Sequence, residues 1–311
     1  MAGRDPRADI LDDDPFRNQK ARIHRVHTRQ SSNGTIHFDT GASTNMNPLF
    51  AQMMGFAQQK PAQMHTGNIW HFSSEEKKHL RLATAAFTVA LGFMAVGGIW
   101  GIDPKTGGFT AWFIQFFLSM PVLLLAVGPA FLLHEIGHKI VAKKNGCWAE
   151  FRADPGGLRF GIFLSFFIGI LFMAPGAVMV AGLVTRRQNG HIAIAGPLVN
   201  FGLFLIGIPL WGVILGVTGA FDAATDAAYL VGSQLNWGRM LVDAGVIWVY
   251  ANLFLGLFNM LPFGPLDGNK VKDWSENAFY VTISVFAILL ISIPIGVWSP
   301  MNLLQAIASF F

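Results

Sequence analysis

His134, Glu135 and His138 stand in the pattern His-Glu-x-x-His, inside an apolar run from Phe109 to Ala142. On a helix, residues four apart project from one face, one turn above the other. The two imidazoles can therefore share a metal ion while Glu135 holds a water beside it. This is the chemistry of a hydrolytic zinc site, with one Zn2+ per chain. A pair of histidines simply buried in a helix bundle is the alternative; it is disfavoured because ionisable groups at membrane depth are costly and by default functional.

The surrounding composition is that of a membrane protein. Hydrophobic residues make up 52% of the 311 and charged residues only 13%, with a mean hydropathy of +0.45, whereas a soluble domain carries about 25% charged residues. An all-α polytopic fold is expected. Cys147 is the single cysteine, which excludes an internal disulfide and a cysteine-rich zinc site and leaves any metal to histidine and carboxylate. Residues 1–72 lack a sustained helical or alternating period and read as a flexible polar cytoplasmic tail, followed by a membrane-embedded domain over 73–311. The tail's basic cluster, Arg17, Lys20, Arg22, Arg25 and Arg29, could touch anionic lipid or nucleic acid; a solvated topology signal is the preferred reading and a nucleic-acid partner is not expected. No cleavable signal is visible there, so the first membrane helix should serve as the insertion signal.

The elements that must position the motif follow from hydropathy and punctuation. Ser73 or Ser74, followed by Glu75 and Glu76, supplies a helix start. Leu80 to Trp100 is long enough to span, and Asp103 to Gly108 is a tight turn. The next span contains Pro121 and Pro129 and carries the motif near its far end, before Lys143 and Lys144. At about 1.5 Å per residue the histidines lie roughly 7 and 14 Å inside that charged boundary. His191 to about Val217, Gly245 to Leu261 and Ala278 to Trp298 are further spans, for about five to six transmembrane helices in all. Basic residues place the tail, Lys143, Lys144, Arg152, Arg159, Arg186, Arg187, Lys270 and Lys272 inside, and Lys105 and Arg239 outside. This assignment requires Gly157–Ala174 to dip into the membrane and return, as a re-entrant hairpin or short β element near the active site, with an extended piece over 177–185 after the Pro175-Gly176 break. A complete crossing is the competing possibility.

A third ligand should come from a distant helix. Asn259 to Gly268 ends the fourth confident span on the same side as the motif, and two prolines and two glycines there unwind the backbone and can aim Asp267 at the metal. A Pro/Gly turn with a surface aspartate is the bland alternative. Asp222, Asp226 and Asp243 fall on the opposite face, and the only glutamates after the motif are Glu150 and Glu276.

At these residues the chain resembles the site-2 protease family of intramembrane zinc metalloproteases. His134-Glu135-x-x-His138 matches its HExxH, Leu266-Asp267-Gly268 its LDG with the preceding Asn259, and Gly196-Pro197-Leu198-Val199-Asn200 its Gly-Pro-x-x-Asn element at the start of a core helix. The likeness covers about residues 110–272 and is closest to prokaryotic members without a PDZ domain, archaeal ones among them. It implies that His134, His138 and Asp267 bind zinc, that Glu135 is the catalytic base, and that Asn200 and Asn259 help position substrate or the developing oxyanion. It also implies a transmembrane protein substrate and a multi-pass location in the plasma membrane. The chain departs from the commonest LDG context by placing Met260 directly after Asn259 and its prolines at 262 and 265. A metal-ion transporter would instead repeat polar residues through the membrane depth, and a catalytically silent scaffold would have no use for an intact Glu135.

Overall fold

The computed structural model describes residues 27–30, 36–39, 68–173, 175–182, 184–224 and 228–311. Arg17, Lys20, Arg22, Arg25 and Asp226 lie outside the described residues. In the N-terminal region a short antiparallel hairpin pairs β1 (His27–Gln30) with β2 (Ile36–Asp39). The remainder is mostly helical, with small two-stranded sheets.

Helix α1 (Ser74–Ala95) begins where Ser73 accepts the Glu76 N–H. Asn68 to Phe72, expected in the tail, already belong to the packed structure. The His71 carbonyl accepts from both Lys139 and Lys143, each at 2.9 Å, and the Phe72 ring lies under the Lys139 ammonium. The segment is held through its backbone carbonyls and one ring, which leave no periodic signature in the sequence.

Helix α2 (Gly108–Lys144) has 37 residues with Pro121 and Pro129 inside it, some 55 Å of helix. Its end leads into β3 (Trp148–Ala153), buried along its whole length. Helix α3 (Pro155–Ile168) follows, capped by Asp154, and then β4 (Gly176–Ala181), which returns to pair antiparallel with β3 from Ala153↔Gly176 to Trp148↔Ala181. The Asp154 N–H also donates to the Pro175 carbonyl. The segment 155–175 thus leaves and rejoins the same sheet end. At 14 residues α3 is about 21 Å long, short of the ~30 Å hydrocarbon core. Its far end turns at Gly169, whose φ of 74° suits glycine and whose backbone meets that of Gly97 so closely that a Cβ would lie 2.6 Å from it.

Helix α4 (Arg186–Thr218) opens with a capping box between Thr185 and Gln188. Helix α5 (Trp237–Asn259) ends where Pro262, Gly264 and Pro265 break the backbone, and the short α6 (Asp267–Trp274) starts on Asp267 itself. Helices α7 (Glu276–Ser292) and α8 (Pro300–Ala308) complete the chain. Among the described residues, α2, α4 and α5 are long and apolar enough to cross a membrane. Helix α1 is diluted by the charges of its first turns, and α7 has 17 residues. Helices α2, α4 and α5 pack on one another, and the candidate site lies between them and the start of α6.

Candidate metal centre

The two histidines lie one turn apart on α2 and face α4. Gly137, between them, lets the helices approach: a Cβ there would meet Val199 at 2.8 Å and the Ala195 carbonyl at 3.2 Å. Asp267 arrives from the break after α5. Gly268 packs against the Met260 carbonyl, which a Cβ would meet at 2.0 Å, so the first turn of α6 is drawn under α5. The structure brings three ligand atoms to one point. His134 Nε2 and His138 Nε2 are 3.0 Å apart, and Asp267 Oδ2 is 3.4 Å from the first and 3.0 Å from the second. All three residues are buried.

The opposite edge of each imidazole is engaged. His134 Nδ1 lies 2.6 Å from Asn200 Oδ1, and His138 Nδ1 lies 2.7 Å from the Ile192 carbonyl. The amide of Asn200 is oriented by its own donors, which reach the Ala130 carbonyl at 2.9 Å and Asn252 Oδ1 at 3.1 Å. Its oxygen must therefore accept, His134 Nδ1 carries the hydrogen, and the neutral ring presents its lone pair at Nε2. The Ile192 carbonyl imposes the same tautomer on His138.

Two imidazole lone pairs and a carboxylate oxygen gathered this closely can hold a divalent cation among them. Tetrahedral zinc with ligands at about 2.0–2.2 Å separates them by roughly 3.3 Å, close to the triangle observed. Gly196 completes the cradle. A Cβ at that position would lie 2.5 Å from both His134 Nε2 and His138 Nε2, so the space beside the ligand atoms exists because residue 196 has no side chain. The residues fit zinc.

Glu135 stands beside this cluster, its carboxylate grouped with the two imidazoles. Its Oε2 accepts the Val178 N–H of β4 at 3.1 Å, so the strand that follows the α3 excursion forms one wall of the site. Asn200, expected at the substrate or oxyanion, is fully buried and committed to His134. Asn259 donates to the Leu255 carbonyl of its own helix and, among the described residues, makes no hydrogen bond to the cluster. Sequence reading missed Ile192 and Asn252, and had Val178 only within the extended piece 177–185 expected beside the site. Only Asn252 carried a signal, an amide midway along an apolar helix.

Comparison with known proteins agrees with this geometry. Residues 122–276 match Peptidase family M50. A protein named as a zinc metalloprotease in Methanocaldococcus jannaschii is 39% identical over 155 residues, covering 50% of this chain and 70% of the relative. A second from the same organism is 30% identical over 48% of this chain and 33% of its own length. One from Bacillus subtilis is 31% identical over 163 residues, 52% of this chain and 72% of the relative. No solved structure gives a significant match. The chain is a membrane-embedded zinc metalloprotease, and it belongs to peptidase family M50, the site-2 protease family.

Proposed function

We propose that this protein is an intramembrane endopeptidase that cuts transmembrane segments of other membrane proteins near the cytoplasmic face of the plasma membrane, as in the release of a membrane-tethered regulator. The observation that carries this reading is the convergence of His134 Nε2, His138 Nε2 and Asp267 Oδ2 inside apolar helices, with Glu135 alongside. Zinc bound by these three residues supplies Lewis acidity to water and to the scissile carbonyl. Glu135 takes the proton of the attacking water and passes it to the leaving amine. The Val178 N–H holds Oε2 and so leaves Oε1 for the proton. Asn200 and the Ile192 carbonyl fix the ring orientations and thereby the direction of the ligand lone pairs.

A helical substrate has its amides hydrogen-bonded and must unwind before attack. The outer edge of β4, where the Val178 N–H faces the site, offers backbone groups along which an extended segment can pair.

The topology we infer has five spans, α1, α2, α4, α5 and α7, with the N-terminus inside and 155–175 re-entrant. Two contacts support it. The excursion starts and ends on paired residues of one sheet end, and Arg186 pairs with Asp273 at 3.2 Å, so the start of α4 and the end of α6 share a face with Lys270 and Lys272. The decisive experiment incubates purified, zinc-loaded protein with a model transmembrane substrate and compares wild type with Glu135→Gln. The variant should retain zinc and lose cleavage; unchanged turnover would end the reading.

A further inference from the structure

Glu76 and Lys139 form an ion pair between α1 and α2 that is closed off from solvent, the residues being 0% and 1% exposed. A buried pair persists only when its remaining lone pairs and protons are used, and these are. Lys139 Nζ also donates to the His71 carbonyl. The second oxygen of Glu76 accepts the Phe151 N–H of β3 at 3.1 Å.

Phe151 is the rung opposite Val178. It turns its N–H to Glu76, whereas Val178 turns its own to Glu135. Lys139 lies one helical turn beyond Glu135 on α2. One carboxylate therefore grips both walls of the slot that holds the base, the helix through Lys139 and the sheet through Phe151. Glu76, Glu135, Lys139, Phe151 and Val178 also border a single small cavity.

We propose that Glu76 is a positioning residue for Glu135, a strut that fixes the spacing of α2 and the β3–β4 sheet and so the aim of the base. The proposal rests on Glu135 being that base.

The test uses two double variants of the full chain, Glu76→Met with Lys139→Met, and Glu76→Gln with Lys139→Met. Neither leaves one member of the pair charged without the other, and they differ in whether an oxygen remains for the Phe151 N–H. In the Met/Met protein, amide exchange over residues 176–181 should rise about tenfold, with zinc stoichiometry unchanged. On the model transmembrane substrate kcat should fall about tenfold at constant KM, as a base displaced by a fraction of an ångström requires. The Gln/Met protein should recover both. Equal exchange in the two double variants, or exchange that rises only in step with zinc loss, would overturn the strut. Exchange is measured with or without turnover, so an inactive wild type counts against the peptidase reading while the exchange comparison still decides this one.

Discussion

Replacing Gly196 by alanine should weaken the metal site without changing a ligand. The added carbon would sit 2.5 Å from both His134 Nε2 and His138 Nε2 and 2.6 Å from His134 Cε1, roughly 1 Å inside ordinary van der Waals contact. The backbone raises no objection, since residue 196 is helical and alanine is the better helix former by about 1 kcal/mol. The strain therefore falls on the imidazoles, which must swing away from Asp267. Overpacking of this kind costs about 1–3 kcal/mol. Charged to zinc binding at about 1.4 kcal/mol per decade, it amounts to a loss of affinity of roughly five- to 150-fold. The assay is zinc content after equilibration with a competing chelator, together with thermal unfolding with and without added zinc. Gly202→Ala on the same helix is the control, because a Cβ there meets nothing within 4 Å. Undiminished zinc affinity in Gly196→Ala, or equal losses in the two variants, would refute the argument that the missing side chain shapes the site.

Asp267→Ala should lower zinc affinity by at least about a hundredfold, more than loss of an outer-shell partner, and activity should fall with it; Asp267→Asn should lose less. Asp243→Ala should leave zinc unchanged, because Asp243 is paired with Arg239 near the start of α5, and zinc analysis of the three proteins checks the assignment. Cysteines at 144, 187 and 270 should label from the cytoplasmic side and one at 105 from the other, with native Cys147 buried and silent; outside labelling at 187 alone would turn the re-entrant segment into a crossing. Deleting residues 1–65 should spare zinc binding and peptidase activity, whereas deleting 1–72 removes the His71 carbonyl and Phe72 ring from Lys139 and should lower the melting temperature.

The parts of the site that could be read in advance are those whose signal is local. Four-residue spacing on a helix places His134 and His138 together, the cluster of Pro and Gly after Asn259 marks where the backbone breaks before Asp267, and Ser73 announces α1. What could not be read is tertiary. Asn200 is 66 residues from the imidazole it orients, and nothing near it in sequence says that its amide is turned inward by Asn252. Gly196 is legible as part of a motif, but its reason, a distance of 2.5 Å to two nitrogens of another helix, exists only in the fold. Hydropathy alone could not decide whether 157–174 crosses, because an apolar stretch has the same composition whether or not it returns, and the pairing of Ala153 with Gly176 is a tertiary contact that composition does not announce.

The spread of the ligands along the chain also sets a clock on the enzyme's own making. His134 and His138 enter the bilayer with α2, Ile192 and Asn200 come with α4, and Asp267 follows roughly 130 residues after His134, which at 5–20 residues per second is about 7 to 26 s of synthesis. Throughout that interval the nascent chain holds a base and two imidazoles but no complete metal site. With Asp267 as the third ligand, as proposed above, the site cannot close until that residue has been made, after α1, α2, α4 and α5.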